Sequence, residues 1–265
     1  MPNDGTLRQL ERIEQSISLA PADDSAVMVV TSGPFRAFLS RHTDDPELNY
    51  AMPIGAGAKH ASLAPRLDAL RHVFAAHARR LRLEFMEELW PELAAAATAA
   101  GMQLVNREPL MVCTPHTFCP MAVASVHVRF LTATDDDPLL RRYIAIRDEQ
   151  RDDAIEQTDV GRLRSALAHK RGWWALASYD GSAAGTGRCL PSSNDLGELT
   201  AIVTHADLRR RGVASTTTSA LVQAFFDAGG ALAWLDAAND TAASVYARLG
   251  FGTIGHLLSY EDPSG

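Results

Sequence analysis

The sequence predicts a mixed α/β protein built in two halves, on three observations. At 265 residues it exceeds the usual single core, and 46% apolar composition is enough to bury two. Strand-like alternation and three- and four-residue apolar spacing take turns along the whole chain. One apolar strand, 196–204, runs through a basic glycine-containing turn into a helix. The expected division is 1–125 and 126–265. Pro120–Ser125, short and apolar, is the expected joint, so the halves should pack with a cleft between them.

In the first half, Leu7, Leu10, Ile13 and Ile17 mark an opening helix, and 26–30 and 48–54 read as strands. A long helix is expected over 65–80, a strand at 83–86, an alanine-rich helix at 91–100 stopped by Gly101, and a strand at 110–113. The second half opens with the alternating strand 126–132 and helices at 137–151 and 161–170. Strands 173–179 and 183–190 flank the turn Asp180-Gly181-Ser182. Trp173 and Trp174 fall on opposite faces of their strand. After the strand 196–204 come a helix at 215–228, weakened locally by Thr216, Thr217 and Thr218, and a buried strand at 231–235. A helix at 239–249 and a last strand at 254–260 end the pattern.

The turn after Ile202-Val203-Thr204 carries the chemistry. A helix start offers unpaired backbone N–H groups and the positive end of the helix dipole. Gly212 admits a close approach of backbone, and Arg209, Arg210 and Arg211 add charge that does not titrate away. A diphosphate is the ligand such a cradle suits. No Gly-Lys-Ser/Thr ending exists for a P-loop, and Gly185-Thr186-Gly187 has Leu190 where a dinucleotide fingerprint needs its third glycine.

Arg209-x-x-Gly212-x-Ala214 resembles the Q/R-x-x-G-x-G/A signature of the GCN5-related N-acetyltransferase (GNAT) family. Asn239-x-x-Ala242-x-x-x-Tyr246-x-x-x-Gly250-Phe251 resembles that family's next motif, and the order of elements from 126 to 261 is similar to its domain. The resemblance implies the GNAT fold in the C-terminal half and acetyl-CoA as co-substrate. The cofactor would be held by Ile202, Val203, Thr204, Arg209, Arg210, Arg211, Gly212, Val213, Ala214, Ser215 and Asn239. It also implies that strand 196–204 is splayed from its neighbour, freeing N–H groups for the thioester oxygen. Two departures stand out: Ala206 occupies the place of a proline common in the family, and Ala214 that of a glycine. His205 reads as a solvated turn residue. The first half is similar, in pattern alone and in segments such as Leu83-Glu84-Phe85-Met86-Glu87-Glu88-Leu89, to the amino-terminal half of tandem acetyltransferases that has lost cofactor binding. An unrelated small α/β domain is the competing reading.

The resemblance assigns Tyr246 to protonating the departing CoA thiolate and Glu198 to taking a proton from the attacking amine, directly or through water. A thiol near pKa ~8.5 and a phenol near ~10 suit that transfer. An ammonium near ~10.4 is neutral in about one molecule in 2,500 at pH 7, so a base is needed. Tyr246 packed on a helix face and Glu198 solvated or paired with an arginine are the plain alternatives. With no obvious nucleophile, direct transfer of an acetyl group to a primary amine of a small molecule or peptide is expected. A non-catalytic acyl-CoA-binding sensor or regulatory protein is the second reading, and oxygen instead of nitrogen as acceptor atom a third.

A formal charge of −7 argues against a nucleic-acid partner and leans towards amines. No stretch is long and apolar enough for a membrane span, and the polar opening is not a signal peptide, so a cytoplasmic monomer or homodimer is expected. Three cysteines form no closed disulfide set. Cys113, His116 and Cys119 lie within seven residues, but the spacing is not a standard zinc knuckle, so no metal is expected.

Overall fold

A computed structural model describes residues 3–19, 26–55, 62–149, 155–169, 172–192 and 195–263. The elements are α1 (Asp4–Leu19), β1 (Val27–Ser32), β2 (Phe35–Ser40), β3 (Asn49–Pro53), α2 (Ala64–Ala76), β4 (Arg82–Met86), α3 (Pro91–Ala99) and β5 (Gln103–Cys113). They continue with β6 (Val126–Phe130), α4 (Asp137–Arg147), α5 (Gln157–His169), β7 (Trp173–Tyr179), β8 (Ser182–Pro191) and β9 (Leu196–Thr204). The last are α6 (Val213–Asp227), β10 (Leu232–Asp236), α7 (Asp240–Arg248) and β11 (Gly252–Glu261). The expected helix ends at Arg151 and Lys170 lie outside the described residues.

The contacts group residues 1–110, 236–239 and 253–265 into one unit and 111–235 and 240–252 into another. This differs from a division at 125/126 at both ends. The last strand, β11, belongs with the first unit because it pairs antiparallel with β4, from Leu257 opposite Met86 to Glu261 opposite Arg82. Pro120–Ser125 belongs to the second unit. The Met121 N–H donates to Ser219 Oγ at 2.9 Å and the Val123 N–H to Thr216 Oγ1 at 3.2 Å. Of the three threonines that weaken α6 on propensity, Thr216 thus holds this segment, while the Thr217 hydroxyl donates to the Val213 carbonyl at 2.8 Å; all three are buried.

In the first unit the strand order is β1-β2-β3-β4-β11-β5. β2, absent from the sequence reading, pairs with β1 across a tight turn at Gly33-Pro34 and buries Phe35 and Phe38. β3 and β4 are parallel, which requires a crossover; α2 supplies it and buries Leu67, Leu70 and Phe74. α2 ends at Ala76, short of the expected Arg80, and Ala78 is left-handed at φ +53°.

The second unit has the order β10-β9-β8-β7-β6, an antiparallel run from β6 to β9 closed by the parallel pair β9–β10. The β7–β8 turn has Asp180 at φ +47° and Gly181 at +82°, the type I′ geometry that suits the strand twist. α4, started by Asp136 accepting the Leu139 N–H at 2.9 Å, packs with α5 over Trp174 and Leu176. α6 lies on the other face, where Trp173 meets Phe225 edge-on at 6.5 Å. It lies close because β8 has no side chain there. A Cβ at Gly185 would sit 2.6 Å from Val213 Cγ1, and one at Gly187 2.6 Å from Ile202 Cδ1 and 2.8 Å from Leu221 Cδ1. The two glycines that fail as a dinucleotide fingerprint thus serve helix-on-sheet packing.

Candidate active site

β9 meets β10 in register only at its start, with Leu196, Gly197 and Glu198 opposite Leu232, Ala233 and Trp234. β9 then continues six residues to Thr204. On its other side a bulge intervenes: Arg188 faces Thr200, Thr186 faces Val203, and Ala201 between them is left-handed at φ +53°. Thr186, fully buried, pins the bulge by donating from Oγ1 to the Ala201 carbonyl at 3.2 Å. The strand is thereby bent at the positions where its N–H groups are expected to act.

Past Thr204 the chain makes a short 3-10 turn at Ala206–Leu208 and enters α6 through Gly212, whose φ of +79° is left-handed. α6 carries no acidic residue in its first turn. No carboxylate in that turn offsets the positive end of the helix, which suits an anion. Arg209, Arg210 and Arg211 are exposed. Arg209 donates to the Thr204 carbonyl at 3.4 Å and to Glu149 at 3.3 Å, while Arg211 lies 5.2 Å over the Tyr179 ring. Val213 is buried with Val126, Ala177 and Ala184, and Ser215 is likewise buried. Thr204 Oγ1 is buried with no hydrogen-bond partner among the described residues. Ala214 is half-buried beside this turn, and Asn239 stands exposed just before α7. A cleft of about 760 Å³ borders the turn, lined in part by Arg142, Glu149, Val203, His205 and Arg209. His205 is exposed and lies 3.9 Å from Asp207, as a turn residue in water would.

Tyr246 is 8% exposed on α7, which packs against α6, and its ring lies 6.0 Å from that of Phe251. Glu198 is half-buried on β9. Its charge adds to burial in pushing the neighbouring Cys189 thiol up to about 12, which leaves that thiol inert. Cys113 is also buried and its thiol is raised by burial. Glu198 lies on the sheet face opposite α6, as the register shows: Gly197, on the α6 face, touches Phe225.

Sequence reasoning missed Arg188, Tyr143 and Trp234, which share that opposite face. No motif marks them, and only strand register and helix packing bring them together. It also missed a carboxylate cluster in the first unit. Burial, followed by the charges of Asp236 and Glu84, raises Glu108 to about 7. Glu84 is raised as well, by burial, against the pull of Arg82. The folded Glu108 thus holds a proton that the unfolded chain, near ~4.3, releases. The stability this contributes is complete below about pH 4 and is lost as pH rises through about 7. Glu108→Gln should flatten that loss, gaining on the order of 1 kcal/mol at pH 8 after solvent screening of a half-exposed group. Urea melts at pH 5 and pH 8 measure it, and equal pH dependence in both proteins would refute it.

Among the described residues, Glu87, Glu88 and His256 form the group whose atoms are spaced to hold a metal ion. Arg107 is bonded into that group, reaching Glu87 at 2.7 Å and His256 Nδ1 at 3.1 Å, and already supplies the positive charge.

Residues 138–251 match the acetyltransferase (GNAT) family. They form a GNAT-family domain. No curated protein matched the sequence. Among solved structures, the chain is similar to a GCN5-related N-acetyltransferase from Kribbella flavida, at 25% identity and a TM-score of 0.75, covering 97% of this chain and 96% of that one. It is similar to a tandem GNAT protein from the clavulanic acid biosynthesis pathway at 17% identity and a TM-score of 0.67, over 97% and 88% of the two chains. A GCN5-related N-acetyltransferase from Sphaerobacter thermophilus shares the fold at 14% identity and a TM-score of 0.63, over 88% and 78%. The GNAT fold therefore extends through nearly the whole chain in a two-domain arrangement, while the family match covers the second domain. No helix among the described residues is long and apolar enough to cross a membrane.

Proposed function

We propose that the GNAT domain transfers an acetyl group from acetyl-CoA directly to a primary amine. The observation that carries this reading is the parting of β9 from β10 after Glu198, on a strand that leads straight into the glycine-started α6. The opened stretch of β9 suits a pantetheine arm, and the start of α6 with Arg209, Arg210 and Arg211 suits a diphosphate. Acetyl-CoA placed this way runs along Ile202, Val203 and Thr204, with Ala214 and Ser215 bordering the cradle.

Transfer then follows from this chain's own groups. The amine gives a proton to Glu198, directly or through a water, and its nitrogen lone pair forms the bond to the thioester carbon. Backbone N–H groups of β9 hold the oxyanion as it develops. The C–S bond breaks as the intermediate collapses, and the Tyr246 hydroxyl gives the departing sulfur its proton. No acyl-enzyme is required, and the buried thiols of Cys113 and Cys189 are poor nucleophiles.

The test is calorimetry with acetyl-CoA beside dephospho-CoA and NAD, followed by thiol-release assays over a panel of amines. Acetyl-CoA should bind with micromolar affinity, NAD should not, and the melting temperature should rise with about 2.7 kcal/mol of stabilisation at a hundredfold excess over Kd. Absence of acetyl-CoA binding to the folded protein would overturn the proposal. Binding without transfer to any amine would leave the sensor reading.

A further inference from the structure

The face of the second unit's sheet opposite α6 carries an unusual set of side chains. Strand register places Trp174, Arg188 and Thr200 on one rung and Leu190, Glu198 and Trp234 on the next, all pointing to the same side. α4 covers this face and contributes Tyr143. Three of these residues bury a hydrogen-bond donor that has no partner among the described residues: the Tyr143 hydroxyl, Arg188 Nε and Trp234 Nε1. Tyr143 is 0% and Trp234 2% exposed. Arg188 lies near enough to Tyr143 to oppose the rise that burial imposes on its hydroxyl, and Arg147 adds to that pull.

Buried donors left unpaired cost stability, and native proteins keep few of them. Three on one face, two provided by the strands β8 and β10 and one by the helix above, point to a ligand that brings acceptors. Indole and guanidinium N–H groups can only donate, so the missing partner must accept. The guanidinium adds a permanent positive charge, which selects an anion. A carboxylate is acceptor-only, carries one negative charge and offers about four lone-pair sites, which matches this set. Glu198 stands on the same face, so an amine presented to it would have its own anionic group beside Arg188.

We propose that Arg188, Tyr143 and Trp234 recognise a carboxylate on the acceptor, making the substrate a small amino carboxylic acid. This rests on the transferase reading above and names its substrate class. Arg188 supplies the charge, and the two neutral donors fix the carboxylate's orientation and hence the position of the amine.

The experiment compares glycine, β-alanine, glutamate and lysine, each beside the amine of the same skeleton without its carboxylate. Two readouts are used: kcat/KM by CoA release, and binding of the N-acetylated products in the presence of CoA by saturation-transfer NMR. At least one carboxylated member should exceed its counterpart by about ten- to a hundredfold, the worth of hydrogen bonds to a charged group. Arg188→Met should level that ratio and abolish binding of the acetylated amino acid while acetyl-CoA affinity is kept. Tyr143→Phe, which keeps the ring, should reduce the ratio by a smaller factor, and Arg188→Lys, which keeps charge but loses the fork, should fall between. Carboxylate-free amines used equally well, a ratio unmoved by Arg188→Met, or no binding of any acetylated amino acid would each overturn the proposal. Acetyl-CoA calorimetry on the same samples reports separately on the transferase reading.

Discussion

Gly212→Glu is expected to weaken acetyl-CoA binding by more than a hundredfold, and part of that loss should come from the protein itself. A Cβ at position 212 would lie 2.5 Å from Val123 Cγ2, and the backbone there is left-handed at φ +79°. Any side chain must therefore strain the backbone, by roughly 1–2 kcal/mol, and push Val123 aside. Charge then acts on top of sterics, because a carboxylate at the start of α6 would occupy the positive helix end and repel a diphosphate. The contributions separate in a double-mutant cycle. Gly212→Ala alone should lower stability by about 1–3 kcal/mol, and Val123→Ala in the same chain should restore part of it, with a coupling of about 0.5–3 kcal/mol. Gly212→Glu with Val123→Ala should regain stability yet still fail to bind acetyl-CoA. Recovery of binding in that double variant would mean that the cradle reads shape alone and that α6 carries no diphosphate.

The role of Val123 illustrates what the sequence could and could not tell. The strand, turn and helix from Leu196 to Asp227 were legible because each carries a local signal: an apolar run, a glycine in a basic turn and helical spacing. Trp173–Tyr179 and Leu196–Thr204 agree with the observed strands residue for residue. Contacts between distant segments left no such trace. Nothing local says that 120–125 rests on α6, that β11 returns to β4, or that β2 exists between Gly33 and the surface turn at 41–48. The bulge at Ala201 is similarly silent, since alanine has no preference for positive φ; the close approach of α6 over Gly185 and Gly187, with Thr186 bonded to Ala201, imposes it. The candidate site divides the same way. Its cofactor side follows a contiguous motif, whereas Tyr143, Arg188 and Trp234 meet only through register and packing.

Tyr246→Phe is the change expected to act on chemistry with least disturbance of structure. The ring is buried against Phe251 on a helix packed to α6, so phenylalanine keeps the packing and removes one hydroxyl. If that hydroxyl protonates the leaving thiolate, kcat should fall by about 10²- to 10³-fold while acetyl-CoA affinity stays within a few-fold. A structural role would instead lower stability and affinity together. The leaving group offers a sharper discrimination. An acyl donor whose thiol departs without needing a proton, such as an acetyl ester of 4-nitrothiophenol, gains little from a general acid. Its turnover should therefore differ far less between the wild-type protein and Tyr246→Phe than that of acetyl-CoA. A deficit of equal size with both donors would show that the hydroxyl positions the substrates, and the proton for sulfur would then have to come from solvent.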